Sequence, residues 1–272
     1  MDKRIAFIGC GNMARAIIGG LLAENYPAEL ISASEPLEAA REAAHEQFGI
    51  GITHDNQRAA EDADIVILAV KPQQLADVAT ALASSITAQH LVVSIAAGIR
   101  AKDLETWLGM GTAIVRVMPN TPALVGKGAS VLFANAPVSV DQKRDAESIL
   151  ASVGTTAWVD DEQKLNAVTA LSGSGPAYFF LLIELLEASG IELGLDPDLA
   201  RNLALQTALG ASSLARSSPD APAELRRQVT SPGGTTAAAL AVFEAAGLAA
   251  IVAQALGAAD SRSQELADEF GA

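Results

Sequence analysis

Arg4-Ile5-Ala6-Phe7-Ile8-Gly9-Cys10-Gly11-Asn12-Met13-Ala14 is the stretch on which the fold turns. A short apolar run ends at a glycine, and helical spacing of Met13, Ile17, Leu21 and Leu22 begins at once. Between a strand and a helix, the pattern G-x-G-x-x-A marks a dinucleotide-binding turn rather than a plain glycine bend. Gly9 permits the tight turn. Gly11 lets the backbone approach a pyrophosphate with no Cβ in the way, and Ala14 allows close packing of helix on strand. The helix start offers free N–H groups and the positive end of its dipole to phosphate.

Outward from this turn, strand-like and helix-like segments alternate. Ile31 to Ser34 reads as a second strand and Glu38 to Phe48 as a second helix. Asp64 to Val70, Leu91 to Ile95 and Ala113 to Val117 are apolar on consecutive residues, as strands covered on both faces are. Ser130 to Phe133 predicts a further strand, and Asp141 to Ser152 a helix. Such alternation implies βαβ crossovers and a parallel, doubly wound sheet. Past Val159-Asp160-Asp161 the pattern becomes wholly helical, over about 162–171, 176–193, 197–217, 221–229, 235–246 and 248–270. Pro176 and Pro197 suit first helical turns, while Gly194, Gly210 and Gly247 weaken or end helices. The expected class is therefore α/β: a doubly wound sheet domain over 1–160, then an all-α domain over 161–272.

The bulk properties narrow the function. A net charge of −14 repels nucleic acid and anionic lipid, so neither is an expected partner. The single cysteine, Cys10, rules out an intrachain disulfide framework and reads as a small buried side chain. A cytoplasmic setting fits this, and the start of the chain shows no cleavage pattern. The least polar stretch, Thr236 to Ala259, is long enough for a membrane span. Gly247 divides it and Glu244 would be costly in lipid, so it reads as two packed helices. His45, His54 and His90 all fall in the sheet half and read as surface or structural. No cluster has metal-ligand spacing, and no G-x-S-x-G nucleophile turn is present.

The second strand ends at Ser34-Glu35-Pro36. This is about twenty residues past the glycine turn, where an acid that bonds ribose hydroxyls is expected. Such an acid repels a 2′-phosphate, which leans toward NAD(H); the alternative is a Glu35 turned to solvent. Arg41 is the nearest downstream base. Two more loops follow strand ends, where ligands bind in such sheets: Ala69-Val70-Lys71-Pro72-Gln73 and Ser94-Ile95-Ala96-Ala97-Gly98. Lys71 either pairs with phosphate or caps the sheet edge.

The helical half carries Ser231-Pro232-Gly233-Gly234-Thr235-Thr236 opening a helix. Glycines free the backbone N–H groups, and a helix start favours an anion such as a carboxylate. The hydroxyls of Ser231, Thr235 and Thr236 add donors, and one can accept from an imine N–H. The competing reading is a structural turn with an N-cap threonine. The turn over Ser172 to Pro176 either lines a pocket or only packs.

Taken together, Phe7 to Met13, Ala69-Val70-Lys71-Pro72, Met118-Pro119-Asn120-Thr121-Pro122, Leu171 to Tyr178 and Thr230 to Thr236 resemble the pyrroline-5-carboxylate reductases, in that family's order and over almost the whole chain. The last two segments are the most specific. The resemblance implies a Rossmann domain followed by a helical domain that dimerises, NADP or NAD as cofactor with the reduced form as hydride donor, and reduction of Δ1-pyrroline-5-carboxylate to L-proline. It implies that Asn56 and the Ala69-Val70-Lys71 loop contact the nucleotide, and that Ser231, Gly233, Gly234, Thr235 and Thr236 cradle the substrate carboxylate. Thr236 occupies the position whose hydroxyl faces the ring nitrogen. Ser34-Glu35-Pro36 departs from members with Ser-Asn-Arg there, which weakens the expectation of strict NADPH use.

The candidate cofactor set is thus Gly9, Gly11, Asn12, Met13, Ser34, Glu35, Asn56, Ala69, Val70, Lys71, Pro72, Ala97, Gly98 and Asn120. The substrate set is Gly233, Gly234, Thr235 and Ser174, with Thr236 and Ser231 as catalytic candidates. Apolar Ala/Leu-rich helices over 197–217 and 235–270 favour a homodimer, with larger homo-oligomers open. Two other readings compete. One is another imine reductase or a β-hydroxyacid dehydrogenase of the same layout, although Lys164, the sole lysine after 143, lies too near the domain boundary for that family's base. The other is a non-catalytic dinucleotide sensor.

Overall fold

The computed structural model describes residues 2–271. Eight strands form one sheet: β1 (Ile5–Ile8), β2 (Ile31–Ser34), β3 (Gly51–Thr53), β4 (Ile65–Leu68), β5 (Leu91–Ser94), β6 (Ala113–Met118), β7 (Gly128–Ala134) and β8 (Gly154–Trp158). Their order is β3-β2-β1-β4-β5-β6-β7-β8. Strand order therefore reverses between β1 and β4, which pair in parallel with Ile8 opposite Leu68. That reversal opens the crevice in which doubly wound sheets bind ligands.

The consecutive apolar residues of the central strands serve two cores. Ile5, Phe7, Ile65, Ile67, Leu91 and Val93 face one, and Ile8, Val66, Leu68 and Val92 face the other. Period-2 side-chain alternation sends neighbours to opposite faces. The first core is closed by α1 (Asn12–Ala23), α2 (Glu38–Phe48) and α6 (Val140–Ala151), through residues such as Ile17, Leu21, Ala44 and Ile149. The second is closed by α3 (Asn56–Ala60), α4 (Pro72–Leu82) and α5 (Ala101–Leu108), through Ala60, Leu75, Leu82 and Leu104.

The sheet is parallel, as expected, except at one pairing. β7 runs antiparallel to β6, and β8 then runs parallel to β7. The cause is the short β6–β7 connection, a single 3-10 turn over Thr121–Val125. A parallel return would need a crossover of roughly a dozen residues. Two strands went unread: β3, with three residues and a glycine, and β8, with half-buried and exposed residues alternating. Neither offers an apolar run.

Beyond the sheet come α7 (Lys164–Val168), a π-helical turn (Thr169–Gly173), α8 (Gly175–Glu192), α9 (Pro197–Ser217), α10 (Pro222–Gln228), α11 (Thr235–Ala245) and α12 (Leu248–Phe270). The chain divides into two compact units. The sheet unit runs to Ser174 and takes in the chain from Ala258 onward; the helical unit is Gly175–Gly257. The sheet ends beside residue 160, where the division was expected, while the two compact units part at 174/175. The reason is the last part of α12, which packs in the sheet unit: Ser263 Oγ donates to Asn166 Oδ1 at 2.9 Å, and Arg100 forms an ion pair with Asp268.

In the helical unit, α8 and α9 form a hairpin closed by Leu195 N–H on Gly190 O at 3.1 Å, with Gly190 set against Ala200. Gly210 lies inside α9 without ending it, whereas Gly247 separates α11 from α12. Phe179, Phe180, Leu185, Leu209 and Val242 are all exposed in the single chain. Among the described residues, the stretch Lys164–Glu192 is long and apolar enough to span a bilayer, and α11 with α12 reaches that length only as a pair bent by 54°.

Candidate functional site

The glycine turn sits at the β1/β4 reversal. Gly9 has φ +94°, and a Cβ there would lie 3.0 Å from both Ala69 O and Val70 Cγ1, so β4's loop requires glycine at this point. Gly9 N–H donates to Ser34 O at 3.0 Å, and Ala69 N–H to Ile8 O at 2.8 Å. These bonds bring Gly9, Ser34 and Ala69, drawn from three strand ends, into one place. Gly11 is the N-cap of α1, in extended conformation and with no side chain capping it. Nothing lies within 4 Å of where its Cβ would be. Asn12 is exposed, Met13 half-buried, and Ala14 buried under α1. An open, uncapped helix start with no side chain over it fits a pyrophosphate.

Glu35 does not turn to solvent. Its Oε2 accepts from Cys10 N–H at 3.4 Å and its Oε1 from Leu37 N–H at 3.2 Å. The carboxylate is thereby drawn onto the glycine turn. Ser34 is buried, its Oγ between Gly9 N–H (3.4 Å) and Phe7 O (3.5 Å). Arg41 Nη1 donates to Glu35 O at 2.9 Å and Pro36 O at 2.8 Å. Arg15 bonds Cys10 O, Ala40 O and Gln47 Oε1. Asn56 opens α3, one residue after Asp55 has capped that helix.

The other two loops also lie in the sheet unit. Lys71 is exposed and precedes Pro72, the first residue of α4, whose start its side chain does not cap. Ala97 is half-buried. Gly98 has φ +74° and faces α12, with Leu266 Cβ 3.3 Å from the Cβ position, so close approach of a helix is one reason for glycine there. Asn120 also braces the fold: Nδ2 donates to Ser172 O at 3.1 Å, and Oδ1 accepts from Ala129 N–H at 2.8 Å. Ser174 ends the π-helical turn, its N–H on Thr169 O at 2.8 Å, and Gly173 packs against Met118. That turn therefore packs, whatever else it lines.

In the helical unit, Ser231 to Thr236 form one tight turn into α11. Gly233 has φ +71°, and Gly234 N–H donates to Ser231 O at 3.1 Å. The N-cap of α11 is Gly234, without a side-chain cap. The competing reading of a threonine cap is thus corrected: Thr235 and Thr236 lie inside the first turn, and their hydroxyls are not the cap. Ser231, Gly233 and Thr235 are exposed, and Thr236 is half-buried. Uncapped N–H groups flanked by hydroxyls suit a small carboxylate.

The remaining reactive groups are structural. Cys10 is buried, and burial pushes its thiol above the ordinary range, only partly offset by Arg15. His45 Nδ1 lies 3.0 Å from Ile50 O, and His90 Nδ1 accepts from Thr87 N–H at 3.0 Å. Among the described residues no group of His, Cys, Asp and Glu could hold a metal ion. One charged pair escaped the sequence reading: Arg116 on β6 with Glu162. Its signal was an arginine inside an otherwise apolar strand.

Sheet, reversal point and open glycine turn together define a dinucleotide-binding α/β protein with a helical second unit. Residues 4–98 match the family described as NADP oxidoreductase coenzyme F420-dependent, and residues 162–266 match pyrroline-5-carboxylate reductase dimerisation. The pyrroline-5-carboxylate reductase of Pseudomonas aeruginosa is 53% identical over 98% of both chains. A solved reductase of that name from Coxiella burnetii is 43% identical, with TM-score 0.93 over 98% of this chain and 99% of that one. The Plasmodium falciparum pyrroline carboxylate reductase, solved with NADP bound, is 30% identical, with TM-score 0.88 over 97% and 98%. The chain belongs to the pyrroline-5-carboxylate reductase family.

Proposed function

We propose that this chain reduces Δ1-pyrroline-5-carboxylate to L-proline with NADPH or NADH, the last step of proline synthesis. The observation that carries the reading is the uncapped start of α11, with Ser231, Thr235 and Thr236 around it, in a chain 53% identical end to end to a reductase of that name. When bound, the reduced nicotinamide supplies the hydride.

The chain's own groups bind and orient. Gly9, Gly11, Asn12 and Met13 hold the pyrophosphate at the start of α1, and the loops after β2, β4 and β5 hold the rest of the nucleotide. Free N–H groups at Gly234 and Thr235, with the Ser231 hydroxyl, hold the substrate carboxylate. Thr236 Oγ1 accepts from the imine N–H. The substrate arrives as a protonated cyclic imine, so no strong protein acid is needed. A C–H bond forms at the imine carbon while the C=N π pair moves to nitrogen, which becomes the neutral amine. Holding that carbon in near-attack geometry is the main catalytic contribution.

The exposed apolar residues of α8, α9 and α11 are covered in a homodimer, consistent with the dimerisation family matched over 162–266. The acidic charge and single buried thiol suit the cytoplasm.

The test is NAD(P)H oxidation followed spectrophotometrically with pyrroline-5-carboxylate, a 2-oxo acid and a 3-oxo acid in parallel. Turnover of the imine alone is expected. Turnover of an oxo acid instead would make the chain a hydroxyacid dehydrogenase, and dinucleotide binding without turnover of any of them would make it a sensor.

A further inference from the structure

We propose that this chain prefers the dinucleotide lacking a 2′-phosphate, and that Glu35 is the residue that sets the preference. The inference rests on the dinucleotide reading of the glycine turn. In doubly wound sheets the residue at the end of the second strand meets the adenosine ribose. An acid there bonds the ribose hydroxyls, and a nearby arginine accommodates a 2′-phosphate.

Here the acid is held in place. Glu35 follows β2 directly, and its two carboxylate oxygens accept from Cys10 N–H (3.4 Å) and Leu37 N–H (3.2 Å). Its backbone is fixed as well, Glu35 N–H donating to Thr53 O at 2.9 Å. These contacts place the carboxylate beside the glycine turn, where a 2′-phosphate would meet its charge.

The nearby cations already donate to the backbone of this corner. Arg41 Nη1 is shared between Glu35 O and Pro36 O. Arg15 spreads its donors over Cys10 O, Ala40 O and Gln47 Oε1. Both guanidiniums brace the backbone of this corner. The first turn of α2, which follows the loop, adds a further acid, Glu38, ahead of Arg41. The chain as a whole carries −14, so its field also opposes a more highly charged dinucleotide. An extra phosphate would bring about two negative charges beside the Glu35 carboxylate, where the nearest guanidinium, Arg41, already donates through Nη1 to Glu35 O and Pro36 O.

The experiment is calorimetric titration of the purified full-length protein with NADH and with NADPH, without substrate, so that affinity is read independently of turnover. The expected wild-type result is NADH binding about tenfold or more tightly than NADPH. Glu35→Gln keeps an acceptor for Cys10 N–H and removes the charge. It should tighten NADPH about tenfold while leaving NADH nearly unchanged. Arg41→Ala should move both affinities together.

Tighter wild-type binding of NADPH would overturn the proposal while leaving the dinucleotide reading intact, and this arm needs no variant to fold. An unchanged affinity ratio in Glu35→Gln would overturn the role of Glu35. Selective loss of NADPH in Arg41→Ala would make Arg41 the phosphate ligand and overturn the proposal. Binding of neither dinucleotide would remove the underlying reading as well.

Discussion

Arg116 Nη1 donates to Glu162 Oε1 at 2.7 Å, with the two side chains only 11% and 25% exposed. The same carboxylate oxygen accepts from Ala101 N–H at 2.6 Å, so one atom joins β6, the start of α5 and the segment leading into α7. Burial pushes the Arg116 guanidinium below its ordinary value, and the neighbouring Glu162 opposes that shift. Removing the acid takes away the buried cation's bonded carboxylate and leaves it the charge of Asp103. Glu162→Ala should therefore cost about 3 kcal/mol of stability, read as a lower urea midpoint at fixed protein concentration. The double variant Arg116→Met/Glu162→Leu should recover part of that loss, since an apolar pair carries no desolvation penalty. A double variant less stable than the single would show that the pair contributes more than mutual compensation.

Gly11 faces open space in the unliganded chain, in a conformation any residue adopts. Gly11→Val should therefore fold normally, within about 1 kcal/mol of wild type, because an N-cap change is the only intrachain effect. Its branched side chain should nonetheless block the pyrophosphate. Melting temperature and dinucleotide titration together check this; normal affinity in a well-folded variant would refute the phosphate-loop assignment.

Thr236 lies in the first turn of α11 without serving as its cap. Thr236→Ala should leave the melting temperature nearly unchanged and lower kcat/KM about a hundredfold, the scale of losing one well-placed hydrogen-bonding group at a reacting centre. Thr236→Ser, which keeps the hydroxyl, should restore most of the rate. An alanine variant with wild-type kcat/KM would remove Thr236 from the catalytic set.

Cys10 is 3% exposed, and burial raises its thiol pKa, so the neutral form persists to higher pH than for a free cysteine. Iodoacetamide at about pH 8 should fail to label the native protein over hours and label it fully in denaturant. Rapid native labelling, quantified by mass spectrometry, would contradict the buried, unreactive placement.

How much of the site was legible follows from how local each signal was. The glycine turn, the open helix start at Gly11 and the turn into α11 are written in adjacent residues. Asn120 belongs to a segment that carries the family resemblance, and its amide bonds Ser172 O and Ala129 N–H, partners supplied by the folded chain. Gly98 read as a glycine for ligand approach, and the structure shows a helix from the far end of the sequence against it. Arg116 stood out in an apolar strand, but Glu162 lies 46 residues away and no local pattern names it.

By itself, the amino-acid order determined the alternation of strands and helices, the bounds of α2, α9 and α12, the dinucleotide turn and the all-helical second half. Each rests on periodicity, capping or glycine placement within a few residues, where the chain's stiffness and the pattern of burial act directly. Tertiary structure alone decided the antiparallel entry of β7, the return of α12's end to the sheet unit, the capture of Glu35 by Cys10 N–H and the Arg116–Glu162 pair. Those choices depend on which distant groups remain to satisfy a buried charge, an unpaired N–H or an uncovered apolar face once the sheet has closed, and only the folded chain holds that information.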